Sequence, residues 1–317
     1  MSDLIAVGTS NGVQVLAPQG SEWRILGQGL TGKAITCLCR ASSRLWAGTT
    51  TNGLASSQDL RDWQPAVNAL SGACVSSITT HPQQASVLLC GTAPVSLHLS
   101  VDEGQQFQEL PALRQHPGAS NWSHPTPPYR SRLQRLFLHP RDPNVLVAAI
   151  CTGGIYLSGD VGQSWHERIQ GVGRQIHDLA LHPAAPSRLY AVTPIGFFLS
   201  EDMGEHWEAR NHGLAYLHAG ALAIHPDDPE ILFLTAHRGP QGGGAIYRSS
   251  NGGQRWEVCE GVPFQANHRC DALVISGNSL LAGNQAGDLF LSRDLGSTWG
   301  KIRSALPAIT CLSWINT

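Results

Sequence analysis

The chain has 317 residues, of which 14% are charged, and its formal net charge is -2. This balance, with no run of Lys and Arg, excludes a strongly basic surface, so nucleic acid is not an expected partner. No apolar stretch approaches the length of a transmembrane helix, and the N-terminus lacks the basic and apolar regions of a signal peptide. We therefore expect a soluble, cytoplasmic protein with no membrane insertion.

The eight cysteines are spread along the chain and form no C-x-x-C pair. This spacing indicates neither a zinc ribbon nor the dense disulfide framework of a small secreted domain. Cys37 and Cys39 would share one face of a strand, but two thiols make an incomplete metal site. We expect them to pack as small buried residues.

An octapeptide that begins with Ser and ends with an aromatic residue recurs along the chain. In chain order the copies end at Trp23, Trp63, Phe107, Trp165, Trp207, Trp256 and Trp299. The best copies are SGDVGQSW (158–165), SEDMGEHW (200–207) and SRDLGSTW (292–299), and the first two copies are degenerate. A spacing of about forty residues predicts a series of similar units rather than unrelated segments.

Each octapeptide is flanked by strand-like segments in a constant order. Two apolar segments with a Gly-containing turn precede it, a short segment such as WHERI follows it, and one more apolar segment separates the units. Seven units of four strands predict an all-β fold, a seven-bladed β-propeller of antiparallel blades in one domain over residues 1–317. The unit from Leu4 lacks an inner strand and the segment from Ile309 supplies one, so we expect these two segments to pair and close the ring.

The octapeptide itself is explained by turn chemistry. Its Asp can accept backbone N–H groups, its Gly tolerates positive φ, and its aromatic residue buries a large apolar surface beside the turn. Asp160, Asp202 and Asp294 would lie around the rim of the ring, too far apart to form one catalytic or metal site. Four His-Pro steps, at His81, His139, His182 and His225, are predicted at the turns after the inner strands, on the same face.

The pattern S-x-D-x-G-x-x-W resembles the Asp-box of the BNR repeat. Over essentially its whole length the chain is similar to seven-bladed, sialidase-like BNR-repeat propellers, a group that includes photosystem II assembly factors and a module of the xyloglucanases. The resemblance implies a ligand site on the face opposite the Asp-boxes, but no particular activity, because this scaffold hosts many. Sialidase activity is not expected, since the F/Y-R-I-P motif is absent, and the xyloglucanase cleft needs two propellers.

Propellers bind ligands where loops converge at one mouth of the central channel. The polar residues that the repeat does not require, and that these loops carry, are Lys33, Arg132, Arg174, His177, Asp178, His218, His237, Arg238, His268, Arg269 and Asp271. A long insertion at about residues 111–131 adds Trp122, His124, Tyr129 and Arg130. We expect this insertion to cover the mouth as a lid or a specificity wall, and the alternative is a mobile Pro-rich excursion.

Three functions are compatible with these residues. The first is a binding protein that recognises a small molecule, a glycan or a protein partner at the mouth through its Arg, His and aromatic residues. The second is a glycan-active enzyme with Asp178 and Asp271 as a catalytic acid and base. The third is a divalent-metal site built from some of His177, His218, His237, His268 and Asp271, with the four histidines as the main candidates. We take the binding role as the main prediction and a glycan-active or metal-dependent enzyme as the alternative.

Overall fold

The computed structural model describes residues 4–20, 22–41, 43–66, 70–81, 84, 86–128, 130–239, 242–262 and 269–315. These residues form seven four-stranded antiparallel sheets. The inner strands of neighbouring sheets contact each other all the way around, which closes the sheets into a ring about a central channel. The predicted seven-bladed β-propeller is therefore confirmed.

Each blade runs from an inner strand at the channel to an outer strand at the rim. In that order, blades 1 to 4 consist of β28 (Ile309–Ile315), β1 (Leu4–Thr9), β2 (Gly12–Gln19) and β3 (Glu22–Gly29); β4 (Ile35–Ala41), β5 (Arg44–Thr49), β6 (Leu54–Ser57) and β7 (Gln64–Pro65); β8 (Cys74–Thr80), β9 (Leu88–Ala93), β10 (Leu97–Ser100) and β11 (Gln108–Leu110); and β12 (Leu133–Leu138), β13 (Leu146–Ile150), β14 (Gly154–Ser158) and β15 (His166–Glu167). Blades 5 to 7 consist of β16 (Asp178–His182), β17 (Ala185–Thr193), β18 (Gly196–Ser200) and β19 (Glu208–Ala209); β20 (His218–His225), β21 (Asp228–His237), β22 (Gly244–Ser249) and β23 (Glu257–Val258); and β24 (Cys270–Ser276), β25 (Ser279–Asn284), β26 (Leu289–Ser292) and β27 (Gly300–Arg303).

Blade 1 is assembled from both ends of the described chain. Strand β28 pairs antiparallel with β1, with Leu4 opposite Ile315 and Gly8 opposite Cys311. The predicted pairing of the segments from Leu4 and Ile309 is thus confirmed. Because β28 supplies the inner strand of blade 1, the ring is closed by hydrogen bonds rather than by a covalent link.

The apolar core lies between blades rather than in one centre. Seven clusters of buried apolar side chains each join two neighbouring blades. The aromatic residue of each octapeptide packs toward the preceding blade: Trp207 of blade 5 joins the cluster with blade 4, and its Nε1 donates to Arg168 O at 3.1 Å. Trp256 of blade 6 does the same with Arg210 O at 2.8 Å. The repeated aromatic residue therefore holds two neighbouring blades together and also stabilises the turn that carries it.

The octapeptide forms the turn between the third and the fourth strand of a blade. In SGDVGQSW, Ser158 Oγ donates to Asp160 Oδ1 at 2.8 Å and accepts the Gly162 N–H at 2.8 Å, while Ser164 N donates to Asp160 Oδ1 at 2.8 Å. Gly162 has φ 82°. Bonds from the side chain and backbone of Ser164 lower the pKa of the exposed Asp160 carboxyl to about 2. Turn geometry thus accounts for the Ser, the Asp and the Gly, as predicted.

The antiparallel order of the strands gives the ring two distinct faces. The turn face carries the octapeptide turns and the turns after the inner strands, and the mouth face carries the loops from the second to the third strand and from the outer strand to the next blade. The predicted His-Pro turns at His139, His182 and His225 lie on the turn face, and the turn after His81 falls partly outside the described residues. Two of them join neighbouring blades: His139 Nε2 donates to Pro186 O at 3.1 Å, and His182 Nε2 donates to His225 O at 3.0 Å. No helix within the described ranges is long and apolar enough to cross a membrane.

Candidate functional site

A ring of hydrogen bonds surrounds much of the channel at the mouth face. Near their first residues, several inner strands contain a β-bulge, and the bulged residue turns its side chain toward the neighbouring blade. These side chains donate to carbonyls of the next inner strand or of its approach: Thr36 Oγ1 to Val75 O, Ser76 Oγ to Leu133 O at 2.8 Å, and Gln134 Nε2 to His177 O at 2.9 Å. His177 Nδ1 continues the series to Ala219 O at 2.6 Å.

The ring is interrupted at blade 6, where the equivalent position is Gly220. A Cβ there would lie 2.6 Å from Asp271 Oδ1, 2.9 Å from Thr235 Oγ1 and 3.1 Å from His237 Nε2. Real Cβ atoms do not approach other atoms that closely, so a glycine is required for Asp271 to reach across to blade 6. The missing side chain thereby lets a cluster of polar groups pack against the inner strand of blade 6.

That cluster, which we call the mouth cluster, consists of His177, His218, His237, Arg269 and Asp271. Arg269 and Asp271 form an ion pair in which Nε lies 2.9 Å from Oδ2 and Nη2 lies 3.0 Å from Oδ1. Arg269 Nη1 is 3.4 Å from His218 Nε2, and the rings of His218 and His177 meet edge to face at 4.8 Å. The structure therefore brings together five of the residues that the sequence placed at the mouth.

His237 is the deepest member of the mouth cluster and is fully buried. Its Nε2 lies 3.4 Å from Asp271 Oδ1, but neither ring nitrogen has a well-aligned hydrogen bond with any described residue. Buried polar groups are normally satisfied, so the His237 ring is an exception. It lies behind Asp271, which lines the cavity.

The charges in the mouth cluster are well defined. Burial, reinforced by His177 and Arg269, lowers the pKa of His218 to about 4, and burial also lowers the pKa of His177. Burial alone would raise the pKa of Asp271, but His237 and Arg269 outweigh that effect and lower it. Near neutral pH the cluster therefore holds neutral imidazoles at His177 and His218 around one ion pair.

Asp178 forms its hydrogen bonds with residues outside the mouth cluster. It is 3% exposed, and its Oδ1 accepts Arg135 Nε at 2.5 Å and Leu179 N at 2.8 Å, while Oδ2 accepts Leu222 N at 3.0 Å. These donors belong to blades 4, 5 and 6, so one carboxylate joins three inner strands. Asp178 raises the pKa of Arg135. Sequence reasoning missed Arg135, although a cation within the apolar strand LQRLFL signals a buried partner.

A cavity of about 830 Å³ fills the channel below the mouth. Its lining includes Arg132, Arg135, His177, Arg269 and Asp271, together with hydroxyl groups of the inner strands. Thiols line it too, and burial raises the pKa of Cys37 to about 11 and that of Cys311 to about 12, so both stay protonated. The predicted buried role of Cys37 is confirmed.

Arg132 lines the cavity and, unlike Arg135 and Arg269, forms no ion pair with a carboxylate of the described residues. Its Nε donates to Gln134 Oε1 at 2.7 Å, which fixes the start of the side chain. Within the described ranges it forms no ion pair, and its two Nη groups have no hydrogen-bond partner. Arg132 contributes, after burial, to the lowered pKa of both His124 and His177, so it lies between the long insertion and the mouth cluster.

The long insertion is anchored on blade 4. It contains a 3-10 turn (Pro117–Asn121), after which Trp122 Nε1 donates to Tyr156 OH at 2.9 Å. Ser123 then forms an isolated β-bridge with Thr152, in the loop between β13 and β14. This contact holds the described part of the insertion beside the mouth.

The remaining predicted residues are distributed as follows. Arg174 forms an ion pair with Glu167 at 2.7 Å, so it supports blade 4 rather than the mouth cluster. Arg238 stacks over the ring of Tyr216 at 5.6 Å. Tyr129 and His268 lie outside the described residues. Among the described residues, no three His, Cys, Asp or Glu side chains are grouped so that they could hold a metal ion.

Charge is divided between the two faces. On the mouth face the described loops carry these basic residues: Lys33, Arg114, Arg130, Arg132, Arg174, Arg238 and Arg269; their acidic residues are Glu260 and Asp288. The described turns of the opposite face carry these acidic residues: Asp59, Asp62, Asp102, Glu103, Asp142, Asp160, Glu201, Asp202, Glu205, Asp227 and Asp294; their basic residues are Arg61, Arg141, Arg255 and Arg293. Arg168 and Arg210 are not counted with the mouth face, because they reach Glu205 and Gly252 of the turns. Three of the mouth-face cations are paired with carboxylates of adjacent strands: Arg114 with Glu109, Arg174 with Glu167 and Arg269 with Asp271. A net charge of -2 therefore conceals an acidic turn face and a mouth face whose cations Lys33, Arg130, Arg132 and Arg238 have no carboxylate partner among the described residues.

Known proteins resemble this chain in structure but not in sequence. No protein-family model matches the sequence, and no curated protein matches it. Among solved structures, the chain is similar to the GH74 xyloglucanase from Xanthomonas campestris, with 18% identity, a TM-score of 0.66 and coverage of 85% of this chain. The chain spans 45% of the length of that xyloglucanase.

Two further structures match the chain over most of both lengths. YCF48 bound to D1 peptide has 17% identity and a TM-score of 0.63, covering 95% of this chain and 84% of that one. YCF48 from Cyanidioschyzon merolae has 13% identity and a TM-score of 0.62, covering 92% of this chain and 89% of that one. At these identities the likeness shows a shared propeller fold alone, and the activity has to be inferred from the residues of the site.

Proposed function

We propose that this propeller is a non-catalytic binding protein that captures a segment of a partner protein at the mouth face. The observation that carries the proposal is the state of the charges there. Arg132 holds unpaired donors over an open cavity, whereas Asp178 and Asp271, the two carboxylates predicted for acid and base catalysis, are both bound to arginines. Such a mouth is built to hold a ligand.

The same charges weigh against a glycan-active enzyme. A general acid needs a pKa raised toward neutrality, whereas contacts with His237 and Arg269 lower that of Asp271. Three protein donors bind the Asp178 carboxylate, and the residue is only 3% exposed, so little of it is accessible to a substrate. The catalytic assignment of both residues stays a prediction that no observation supports.

The comparisons are consistent with a binding role for a chain of this size. One matched protein is YCF48, solved with a peptide, and this chain covers 84% of it, so a propeller of similar length is sufficient to hold a peptide. The xyloglucanase is more than twice as long as the part that this chain matches. We also propose that the octapeptides are Asp-boxes of the BNR type, since in five of the turns the Ser, the Asp or Asn and the Gly act together.

Site-specific photo-crosslinking tests the proposal. Ile195 is 61% exposed in the β17–β18 loop of the mouth face, and Val101 is 66% exposed in a turn of the opposite face. A photoreactive amino acid at Ile195, in protein returned to its native host, is expected to form one dominant adduct that is absent when the same group replaces Val101. Replacing Arg132 and Arg269 by Gln should abolish that adduct. Equal labelling at both positions would refute the proposal, and labelling that survives the Arg replacements would show that these two arginines are not part of the binding site.

A further inference from the structure

The division of charge between the faces restricts what the mouth face can receive. Opposite charges steer association and fix orientation, while like charges across an interface are unfavourable. The described loops of the mouth face carry seven basic and two acidic residues, and those of the turn face carry four basic and eleven acidic residues. An acidic partner is therefore attracted to the mouth face and repelled from the opposite one.

Two details of the mouth indicate how an acidic segment would be held. The first is Arg132, whose Nη groups project over the cavity with no carboxylate partner among the described residues. A guanidinium binds a carboxylate through two parallel N–H···O bonds, and this geometry is available because Gln134 fixes only the Nε. The second is Arg269, a further cation in the lining of the same cavity.

Apolar side chains lie on the same face, next to the basic residues. Ile195 is 61% exposed and Leu217 is 44% exposed, in neighbouring loops of blades 5 and 6. The Tyr216 ring lies next to Leu217 in the chain and is covered by Arg238. Binding surfaces for peptides combine apolar anchors with a few placed charges, and this face offers both within two blades of the mouth cluster.

We propose that the mouth face docks an acidic peptide segment, with one carboxylate on Arg132 at the channel and an apolar side chain on Ile195 and Leu217. This inference rests on the proposed binding function and specifies the chemistry of the partner. A nucleic acid would meet the same charges, but it lacks the aliphatic side chains that fit the exposed Ile195 and Leu217.

Selection from a phage-displayed library of random dodecapeptides tests this inference on the full chain. The selected sequences should be enriched in Asp and Glu over the library and contain at least one large aliphatic residue. Recovery should fall at least about tenfold for Arg132→Gln, the usual loss for a charged hydrogen bond. It should also fall as NaCl rises from about 0.1 M to about 1 M, because the Debye length shortens to about 3 Å. The matched control is Arg141→Gln on the turn face, which should behave like the parent.

The outcomes separate this inference from the function on which it rests. Selected peptides with the charge of the input library, or equal recovery with Arg132→Gln, would overturn the acidic partner while leaving the binding function in place. Complete displacement by a single-stranded oligonucleotide, with no aliphatic preference among the peptides, would overturn it in favour of a nucleic acid. If no peptide is recovered, the inference fails, and the crosslink at Ile195 decides alone whether the binding function also fails.

Discussion

Replacement of Asp178 distinguishes a structural carboxylate from a catalytic one. Asp178→Ala removes the partner of Arg135 and leaves the N–H groups of Leu179 and Leu222 without their acceptor. Breaking a buried ion pair on one side costs about 3–5 kcal/mol. The side chain of Arg135 keeps 40% exposure toward the channel, where water can partly solvate it. We therefore expect the lower end, about 3 kcal/mol of lost unfolding free energy.

The measurement is the midpoint of urea unfolding, followed by intrinsic tryptophan fluorescence. Asp178→Asn should lose less than Asp178→Ala, because the amide oxygen can still accept one of the two N–H groups. Asp227→Ala, in an exposed turn, is the control and should stay within about 0.5 kcal/mol of the parent. Catalytic residues usually cost stability rather than provide it, so their removal is neutral or stabilising. A loss below about 1 kcal/mol for Asp178→Ala would refute the structural role and reopen the catalytic one.

Three further predictions follow from the pKa shifts and from the insertion. Burial lowers the pKa of His218 to about 4, so NMR should show its side chain neutral at pH 6. The unfolded chain binds this proton at a higher pH than the folded chain does, so stability should fall as the pH drops below about 6.5. That fall should be smaller in His218→Gln. Hydrogen bonds lower the pKa of Asp160, Asp202 and Asp294 to about 2, so their contribution is complete above about pH 4 and is lost toward pH 2; the triple Asn variant should show a flatter acid-unfolding curve over that window. Trp122→Phe removes the indole N–H that anchors the insertion, and trypsin should then cut within residues 111–131 several-fold faster without a change in overall unfolding, whereas an unchanged rate would show that the hydrogen bond does not hold it.

The fold was predictable because its information is local and repeated. A turn such as SGDVGQSW is specified by contacts within eight residues, and the same contacts recur in other blades, so chance matches are suppressed. The closure of the ring by Ile309–Ile315 followed from counting strands. What the sequence did not show is that Trp207 and Trp256 bond to the preceding blade, because that contact depends on how the blades are placed around the ring.

The sequence predicted which loops form the site but not the contacts that individual side chains make there. Loop position was enough to place His177, His218 and Arg269 together. It was not enough to separate Asp178 from Asp271, because each carboxylate takes its role from a partner that the spacing of residues does not reveal. The partner of Asp178 lies 43 residues away on another blade. Asp271 can approach blade 6 because residue 220 is a glycine, and a glycine has no side chain that would mark it as part of a site in a sequence.

The repeat that builds the fold also creates the charge division on which partner recognition depends. Six of the octapeptide turns have a carboxylate or an amide that accepts their backbone N–H groups, and these turns lie on one face. The described loops of the other face are free of that requirement and carry seven basic residues, against four in the described turns. The net charge of the whole chain averages these two surfaces, so it does not indicate whether the partner is acidic or basic. Because the field is directed along the channel, raising the salt concentration should slow association with an acidic partner far more than it speeds dissociation.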